Sequence, residues 1–480
     1  MATLPELPAV TSLSKYVTRI LGQNPSKFTL QGTNSYLVHE CSTAAGEQHP
    51  HSTRMILIDT TGPSSSGPLP AAALSSYLTS LCSILAERST PSQGEGMAHT
   101  HAHVSDIILT HWHRDHTAAL PDVIRALALV QPRIPVKVWK FPCADAEKNE
   151  DGDWKSERGR DAAIEHELAG LGSTEMVVRP GEGEGEVGAV ASKRIHVLRQ
   201  EQQFRLEPEL QRDHHHHRGD DDDQAADSDA DAIELEVVHT PGHTSDSICL
   251  VLRRAPSPSS SAAADDSTAS APAQAPPSPL LGVFTADTVL GHGTAVFASL
   301  SSYLSSLSRL ITSLSSSSSS SSDPNLNPDS QPQLPRVRLF PGHGDVVDDA
   351  IAKITEYRAH RLERERQVVQ VLERAKRDES GPLTADELVD QIYGSTIPIS
   401  LKPAATHGCL LHLAKLLEEK IVIRLPSAAD VDADADAAAE KKEKGSAGGS
   451  RVVVVEHEEV QIPEGWYDGW SIAVTATASM

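Results

Sequence analysis

The chain has 480 residues, 39% of them hydrophobic and only 4% aromatic, and a formal net charge of −24. That is enough apolar material for one substantial core and a small second one, diluted by serine-only, Asp/Ala and Pro/Ser tracts. The acidity disfavours nucleic acid as the main partner, five scattered cysteines make no disulfide framework, and no run of about 18 apolar residues is present to cross a bilayer. Met1 to Val10 shows no signal peptide, so the expected setting is intracellular, cytoplasmic first and mitochondrial second.

Tyr16 to Leu21, Phe28 to Val38 and Met55 to Asp59 read as strands, with Cys41 to Thr53 an enlarged hairpin loop. In Pro70 to Glu87 the residues Leu74, Leu78, Leu81 and Leu85 recur on one helical face, and a proline suits the first turn. Asp106 to Thr110 is a fully buried strand type, Thr117 to Val130 a helix and Val136 to Trp139 another strand. Glu234 to Val238, Ile248 to Leu252, Leu280 to Phe284 and Val337 to Phe340 continue the series, which suits an α/β layered domain.

Three low-complexity inserts, about 213–231, 255–279 and 313–332, interrupt that series and are expected to be disordered loops. The His214 to His217 run beside Asp220 to Asp223 is read as part of such a solvated loop. Asp348 to Glu379 forms a long charged helix on which Arg358, His360, Arg361, Arg364 and Arg366 alternate with glutamates, predicting a solvated face. Thr384-Ala-Asp-Glu387 has capping-box spacing, and Ala404 to Lys420 is a third helix. The β runs Ile421 to Leu425 and Arg451 to Glu456 flank an acidic insert at about 427–450. Three helices and a two-stranded wing predict a small winged-helix domain, whose acidic wing tip argues against reading double-stranded DNA. The resulting division is a catalytic-type domain over 10–347, a long helix with winged helix over 348–460 and a tail over 461–480.

The chemistry concentrates in Thr110-His-Trp-His-Arg-Asp-His116, directly after a buried strand. On a regular helix His111 and His113 would diverge by about 200°, but in an irregular strand-end turn they can converge on one ion while Asp115 and His116 face a second. Val237-Val-His-Thr-Pro-Gly-His243, Val283-Phe-Thr-Ala-Asp287 and Leu339-Phe-Pro-Gly-His343 each place a further ligand type just after an apolar strand. Glycine before a ligand lets the backbone turn sharply. Imidazoles with carboxylates suit zinc or a neighbouring divalent metal.

These motifs resemble the metallo-β-lactamase superfamily, whose hallmark is His-x-His-x-Asp-His. The resemblance narrows to the β-lactamase-like protein 2 branch through Leu21-Gly-Gln-Asn-Pro-Ser-Lys-Phe-Thr-Leu-Gln-Gly-Thr-Asn-Ser-Tyr-Leu-Val38, Ile56-Leu-Ile-Asp-Thr60, Leu290-Gly-His-Gly-Thr-Ala-Val-Phe297 and Ile354-Thr-Glu-Tyr-Arg-Ala-His-Arg361. It implies a four-layer αββα sandwich with a C-terminal winged helix and two Zn2+ ions, His111, His113 and His243 on one, Asp115, His116 and His343 on the other, and Asp287 bridging. It implies a metal-bridging hydroxide as nucleophile, with Asp115 or Asp287 taking up the proton. The branch contains fungal thioesterases that release polyketides from an acyl carrier protein, and animal mitochondrial endoribonucleases acting on single-stranded RNA. The expected reaction is hydrolysis of an ester or thioester in secondary metabolism, with single-stranded RNA as the alternative substrate and a non-catalytic binding scaffold as a third reading. Asp59 is expected either to orient a ligand histidine or to cap a turn, and Asn34 and Tyr36 either to face substrate or to be ordinary strand residues. Three departures from the branch stand out: Ala286 for glycine, Ser247 for a histidine near the metals, and Thr60-Thr-Gly-Pro63 for Thr-Gly-Glu-Gly.

Overall fold

The computed structural model describes residues 4–40, 53–63, 68–89, 102–131, 134–143, 157–171, 195–207, 232–255, 278–318, 336–378, 382–425 and 471–474. They fall into two compact units, Met1–Val296 with Arg309–Ile354, and Phe297–Ser308 with Thr355–Met480.

The first unit is built on two sheets. One runs in chain order through β1 (Val10–Ser14), β2 (Val17–Leu21), β3 (Asn34–His39), β4 (Arg54–Ile58), β5 (His103–Leu109), β6 (Lys137–Lys140) and β7 (His196–Val197). It is antiparallel from β1 to β4 and parallel from β4 to β7. The other contains β8 (Gln203–Leu206), β9 (Ile233–His239), β10 (Ile248–Arg254), β11 (Leu280–Ala286) and β12 (Leu339–Pro341), antiparallel except for the β11–β12 pair.

Strand alternation gives the first sheet two apolar faces. Leu37, Met55, Leu57, Ile107 and Leu109 pack outward with Tyr77, Leu81 and Leu85 of α1 (Ala71–Glu87). The same core takes in the helices that follow the short α2 (Arg114–Thr117), with Val123 and Leu127 from α3 (Leu120–Val130) and Ile164 and Leu168 from α4 (Glu157–Gly170). Tyr36, Val38, Ile56, Ile58 and Ile108 point the other way, against Leu235, Val237, Leu250, Leu252, Phe284 and Phe340 of the second sheet. Each such side chain contributes about 1.5–3 kcal/mol on burial, which is what holds the sheets face to face. The first five residues of β10 are buried on both faces, and α5 (Leu300–Ser318) buries Leu310 and Leu314. The layering is the αββα sandwich.

Local departures from the sequence reading have simple causes. The strand expected from Phe28 starts only at Asn34, because Ser26 bridges to Leu30 and Leu30 turns left-handed at φ 56°. The helix expected over Thr117 to Val130 is broken into α2 and α3, since Pro121 has no N–H to continue the first and suits the opening turn of the second. Ser313 to Ser318 complete α5 rather than begin an insert, anchored by the buried Leu314. The remainder of that insert, those around 213–231 and 255–279 apart from their ends, and the loop after Cys41 lie outside the described residues.

In the second unit the part of α6 (Ala350–Arg377) beyond Ile354, with α7 (Ala385–Tyr393) and α8 (Lys402–Glu418), buries Val368, Leu372, Leu388, Val389, Leu410 and Leu413 together with Val422 of β13 (Val422–Leu425). The capping box forms, with Glu387 N donating to Thr384 Oγ1 at 3.3 Å and Thr384 N to the Glu387 carboxyl at 2.7 Å. β13 pairs with β14 (Ser471–Val474), inside the expected tail, while the expected wing strand Arg451 to Glu456 lies outside the described residues. Arg358, His360 and Arg366 are exposed. Arg361 and Arg364 instead lie 4.7 and 4.2 Å over the rings of Phe297 and Tyr393, a cation–π placement that removes them from the predicted solvated face.

Candidate metal centre

All seven sequence-predicted ligand residues converge where strands end. β5 leads into His111 and, past Trp112, into His113, which caps α2; Asp115 and His116 therefore sit on a helical turn, not in an irregular one. His243 follows β9, Asp287 follows β11 and His343 follows β12. They make two sets, His111, His113, His243 and Asp287, and Asp115, His116 and His343, with donor atoms in each set within 4.8 Å of one another. Asp287 reaches both: Oδ2 lies 4.0 and 3.6 Å from Nε2 of His111 and His243, and Oδ1 and Oδ2 lie 3.4 Å from Nε2 of His116 and His343.

The surrounding hydrogen bonds settle which nitrogens face inward. Asp59, in left-handed backbone at φ 57°, accepts from Thr110 N, Thr110 Oγ1 and His116 Nδ1, each at 2.8 Å. With its proton on Asp59, the Thr110 hydroxyl accepts from His111 Nδ1 at 3.0 Å. His243 Nδ1 donates to the Val296 carbonyl at 2.7 Å. In all three rings Nε2 is the nitrogen aimed into the site, the arrangement by which a neighbour fixes a metal-binding histidine's orientation. Asp59 thus orients the ring of the candidate ligand His116, a contact compatible with one of its two expected roles.

The residues fit a pair of cations by the chemistry of their donors. His113 Nδ1 stands 3.0 Å from Nε2 of both His111 and His243, and one proton cannot satisfy three converging lone pairs. Asp287 Oδ1 is buried and accepts no hydrogen bond among the described residues. Burial first, and neighbouring imidazoles second, push His111 well down and His113 to about 3, so this set offers neutral nitrogen. In the other set burial opposes charge, yet Asp287 and Asp115 raise His343 to about 9, while His116 and His343 lower Asp115 to about 2. His116 is raised in the same way, so one set offers neutral imidazoles and the other imidazoles whose extra proton is held by carboxyls, a proton a cation would replace; imidazoles and ionised carboxyls in this mixture suit borderline divalent metals. Gly342 is required beside them, because a Cβ there would lie 2.4 Å from Asp287 Oδ1 and 3.0 Å from His116 Cε1. Ala286, the residue standing for the expected glycine, takes φ 44°.

Other predicted residues take supporting positions. Asn34 Nδ2 donates to the carbonyls of Pro341 and Gly344 at 2.9 and 2.8 Å, and Tyr36 Oη to Pro341 at 2.7 Å. Both brace the His343 loop rather than face a substrate. Ser247 Oγ lies 2.6 Å from Thr244 Oγ1 and accepts from Thr244 N at 3.1 Å, so it ties the loop that bears His243. Thr60 N and Oγ1 both donate to the His116 carbonyl at 2.8 Å. Four charged residues escaped the sequence reading: Arg19, Lys140, Asp246 and Asp345. For Arg19 the available signal was a lone cation in an otherwise uncharged strand; for Lys140, in a strand that also holds Lys137, no such signal was present.

Two facing sheets with a His/Asp cluster at their strand ends define the metallo-β-lactamase fold, here followed by a winged helix. Residues 384–430 match the beta-lactamase associated winged helix domain. The chain is similar to the beta-lactamase-like protein 2 homolog of Caenorhabditis elegans, 25% identical over 422 residues, 88% of this chain and 91% of that protein. It is also similar to an atrochrysone carboxyl ACP thioesterase of Paecilomyces divaricatus, 26% identical over 420 residues, 87% of this chain and 84% of the other. Among solved structures, a beta-lactamase domain protein from Burkholderia ambifaria aligns with 88% of this chain and 92% of its own at a TM-score of 0.46 and 17% identity. The likeness to this branch, read first from the motifs, extends over most of the chain.

Proposed function

We propose that the chain is a binuclear metal-dependent hydrolase of esters or thioesters, with a carrier-bound acyl or polyketide chain as its substrate class and Zn2+ as its metal. One observation carries the binuclear reading: Asp287 stands within 3.4–4.0 Å of imidazole nitrogens from both ligand sets, as a shared carboxylate must. The similarity to a protein named as an ACP thioesterase supports the substrate class. His111, His113 and His243 would hold one ion, Asp115, His116 and His343 the other, and Asp287 both. Such ions supply Lewis acidity and acidify water, to a pKa of about 7 in single-zinc precedents.

The chain's own residues do the rest. Asp59, Thr110 and the Val296 carbonyl hold three imidazoles in the tautomer that presents Nε2. Asp115 and Asp287 keep 16% and 12% of their side chains exposed while His116 keeps none, so these two carboxyls are reachable from solvent to take a proton from water and return it to a leaving group. A thiolate leaves without that return, which makes a thioester the least demanding substrate for this set. Two cations packed against the site's loops, Arg19 and Lys140, are buried in ion pairs and are not offered to a phosphate backbone.

The test is a side-by-side turnover assay of zinc-loaded protein and an Asp115→Ala/His116→Ala control, on an acyl-thioester carrier protein and on a fluorescent single-stranded RNA. Thioester release that disappears in the control is the expected result. RNA cleavage that disappears in the control, without thioester release, would overturn the substrate assignment.

A further inference from the structure

The two ligand sets draw on both sheets. His111, His113, Asp115 and His116 follow β5 of the first sheet, and His243, Asp287 and His343 follow β9, β11 and β12 of the second. Their mutual distances therefore depend on how the sheets are held together at this end, where apolar packing alone is non-directional.

Two ion pairs cross between the sheets beside the ligands. Lys140 ends β6 and lies in register with Leu109, two residues before His111. Its Nζ lies 2.6 Å from Asp246 Oδ2 and 2.7 Å from Asp161 Oδ1, and donates to the Phe141 carbonyl at 2.9 Å. Asp246 is fully buried, three residues after His243, and its Oδ1 accepts from Thr244 Oγ1 at 2.7 Å. The second pair is Arg19 of β2, 2% exposed, whose guanidinium lies 3.1 Å from Asp345 Oδ1, two residues after His343. Arg19 is in register with Tyr36, which itself donates to the loop before His343.

Energetics argues that these pairs serve geometry. Burying a cation and a carboxylate together, as in Lys140–Asp246, costs about as much as their attraction returns, and apolar residues of equal volume stabilise as well or better; in the second pair only Arg19 is buried, and Asp345 keeps 52% of its side chain exposed. What an ion pair adds is a short, directional N–O separation. Burial works against charge on Lys140, but Asp246 and Asp161 outweigh it and hold the ammonium form.

Resting on the binuclear reading above, we infer that Lys140–Asp246 and Arg19–Asp345 are positioning pairs that clamp the two sheets, the first setting the His243-containing ligand set and the second the His343-containing set.

The test uses the full chain, stripped of metal and retitrated with Zn2+ against a competing chelator, with apoprotein melting followed in parallel. Lys140→Met/Asp246→Asn is expected to weaken one metal equivalent by about 10–100-fold, the usual effect of losing an outer partner, and to leave the other unchanged. Arg19→Met/Asp345→Asn is expected to weaken the other equivalent by a similar factor. Adding His116→Ala, which spares only the His243-containing set, identifies which site each pair governs. Asp246→Glu and Arg19→Lys, which keep the charge and change the reach, are expected to fold and to show the same site preference if the double variants do not accumulate. Lowered melting temperature with both affinities within twofold of the parent, or equal weakening of both equivalents by each pair, would overturn the inference. A parent protein that binds fewer than two equivalents would overturn the binuclear reading and this one with it.

Discussion

Asp59 takes three hydrogen bonds from two residues while holding a left-handed backbone conformation. Aspartate and asparagine tolerate that conformation better than other side chains with a Cβ. Asp59→Asn should therefore fold, but its amide turns a donor toward groups that already donate. A loss of about 10–100-fold in zinc affinity is expected, read by chelator competition with far-ultraviolet circular dichroism unchanged; parent-like affinity would show that Asp59 serves the turn alone. The candidate ligands were legible as residues because each lies in a short motif after an apolar run, and the fold brings them together. The orienting role of Asp59 was legible only as one of two alternatives, since His116 is 57 positions away, and the Arg19–Asp345 pair, 326 positions apart, was not legible at all. Local periodicity carries no information about pairs of that separation.

At the scale of elements, the low-complexity stretches of the sequence interrupt the described elements on the side away from the candidate metal centre. β9, β11 and β12 end in the ligand-bearing loops, whereas the low-complexity stretches fall between Glu207 and Ala232, between Ala255 and Ser278, and between Ser318 and Arg336. Each joins strand or helix ends opposite those loops, where added length costs little closure entropy. His39, at the far end of β3, gives this region a pH signature. Burial, and then Arg88, lower its pKa from 6.5 to about 4, so it is neutral in the folded protein. Its contribution is complete above pH 6.5 and is lost as pH falls toward 4, about 3 kcal/mol by linkage. Unfolding midpoints should drop through that window, and His39→Gln should flatten the drop; a parallel profile in the variant would assign the effect elsewhere. Strand and helix cores were readable from periodicity in most of these elements. Short or weakly patterned elements were missed altogether: β1, β7, β8, α4 and α5; the α2–α3 break depends on the N–H that Pro121 lacks, and the helical end of the serine run on one buried leucine.

For the whole molecule, the seven metal-binding candidates all belong to the first unit, and the second has its own core of Leu388, Leu410 and Val422. Ligand binding stabilises only what binds, by about 4 kcal/mol at a thousandfold excess over Kd. Chelation should lower one calorimetric transition by several degrees and leave a second in place, with added zinc restoring the first; a single transition that shifts as one would mean the units melt together. An α/β layered domain and the winged helix followed from the order of elements, and the αββα layering from the family resemblance. The boundary at Ile354 did not, because it falls inside the continuous 28-residue helix α6, where no change of composition marks it.

The carbonyls of Pro341 and Gly344 are caught by Asn34, 307 and 310 residues earlier. In a growing polypeptide this contact is among the last to become available, since non-local contacts must await the far segment. A nascent chain ending before Leu339 already carries six of the seven candidate ligands, but Asp115 and His116 still wait for His343. The order of synthesis thus acts as a timer: reactivity that needs both ligand sets cannot arise until both sheets have been made and the chain has returned to its own beginning.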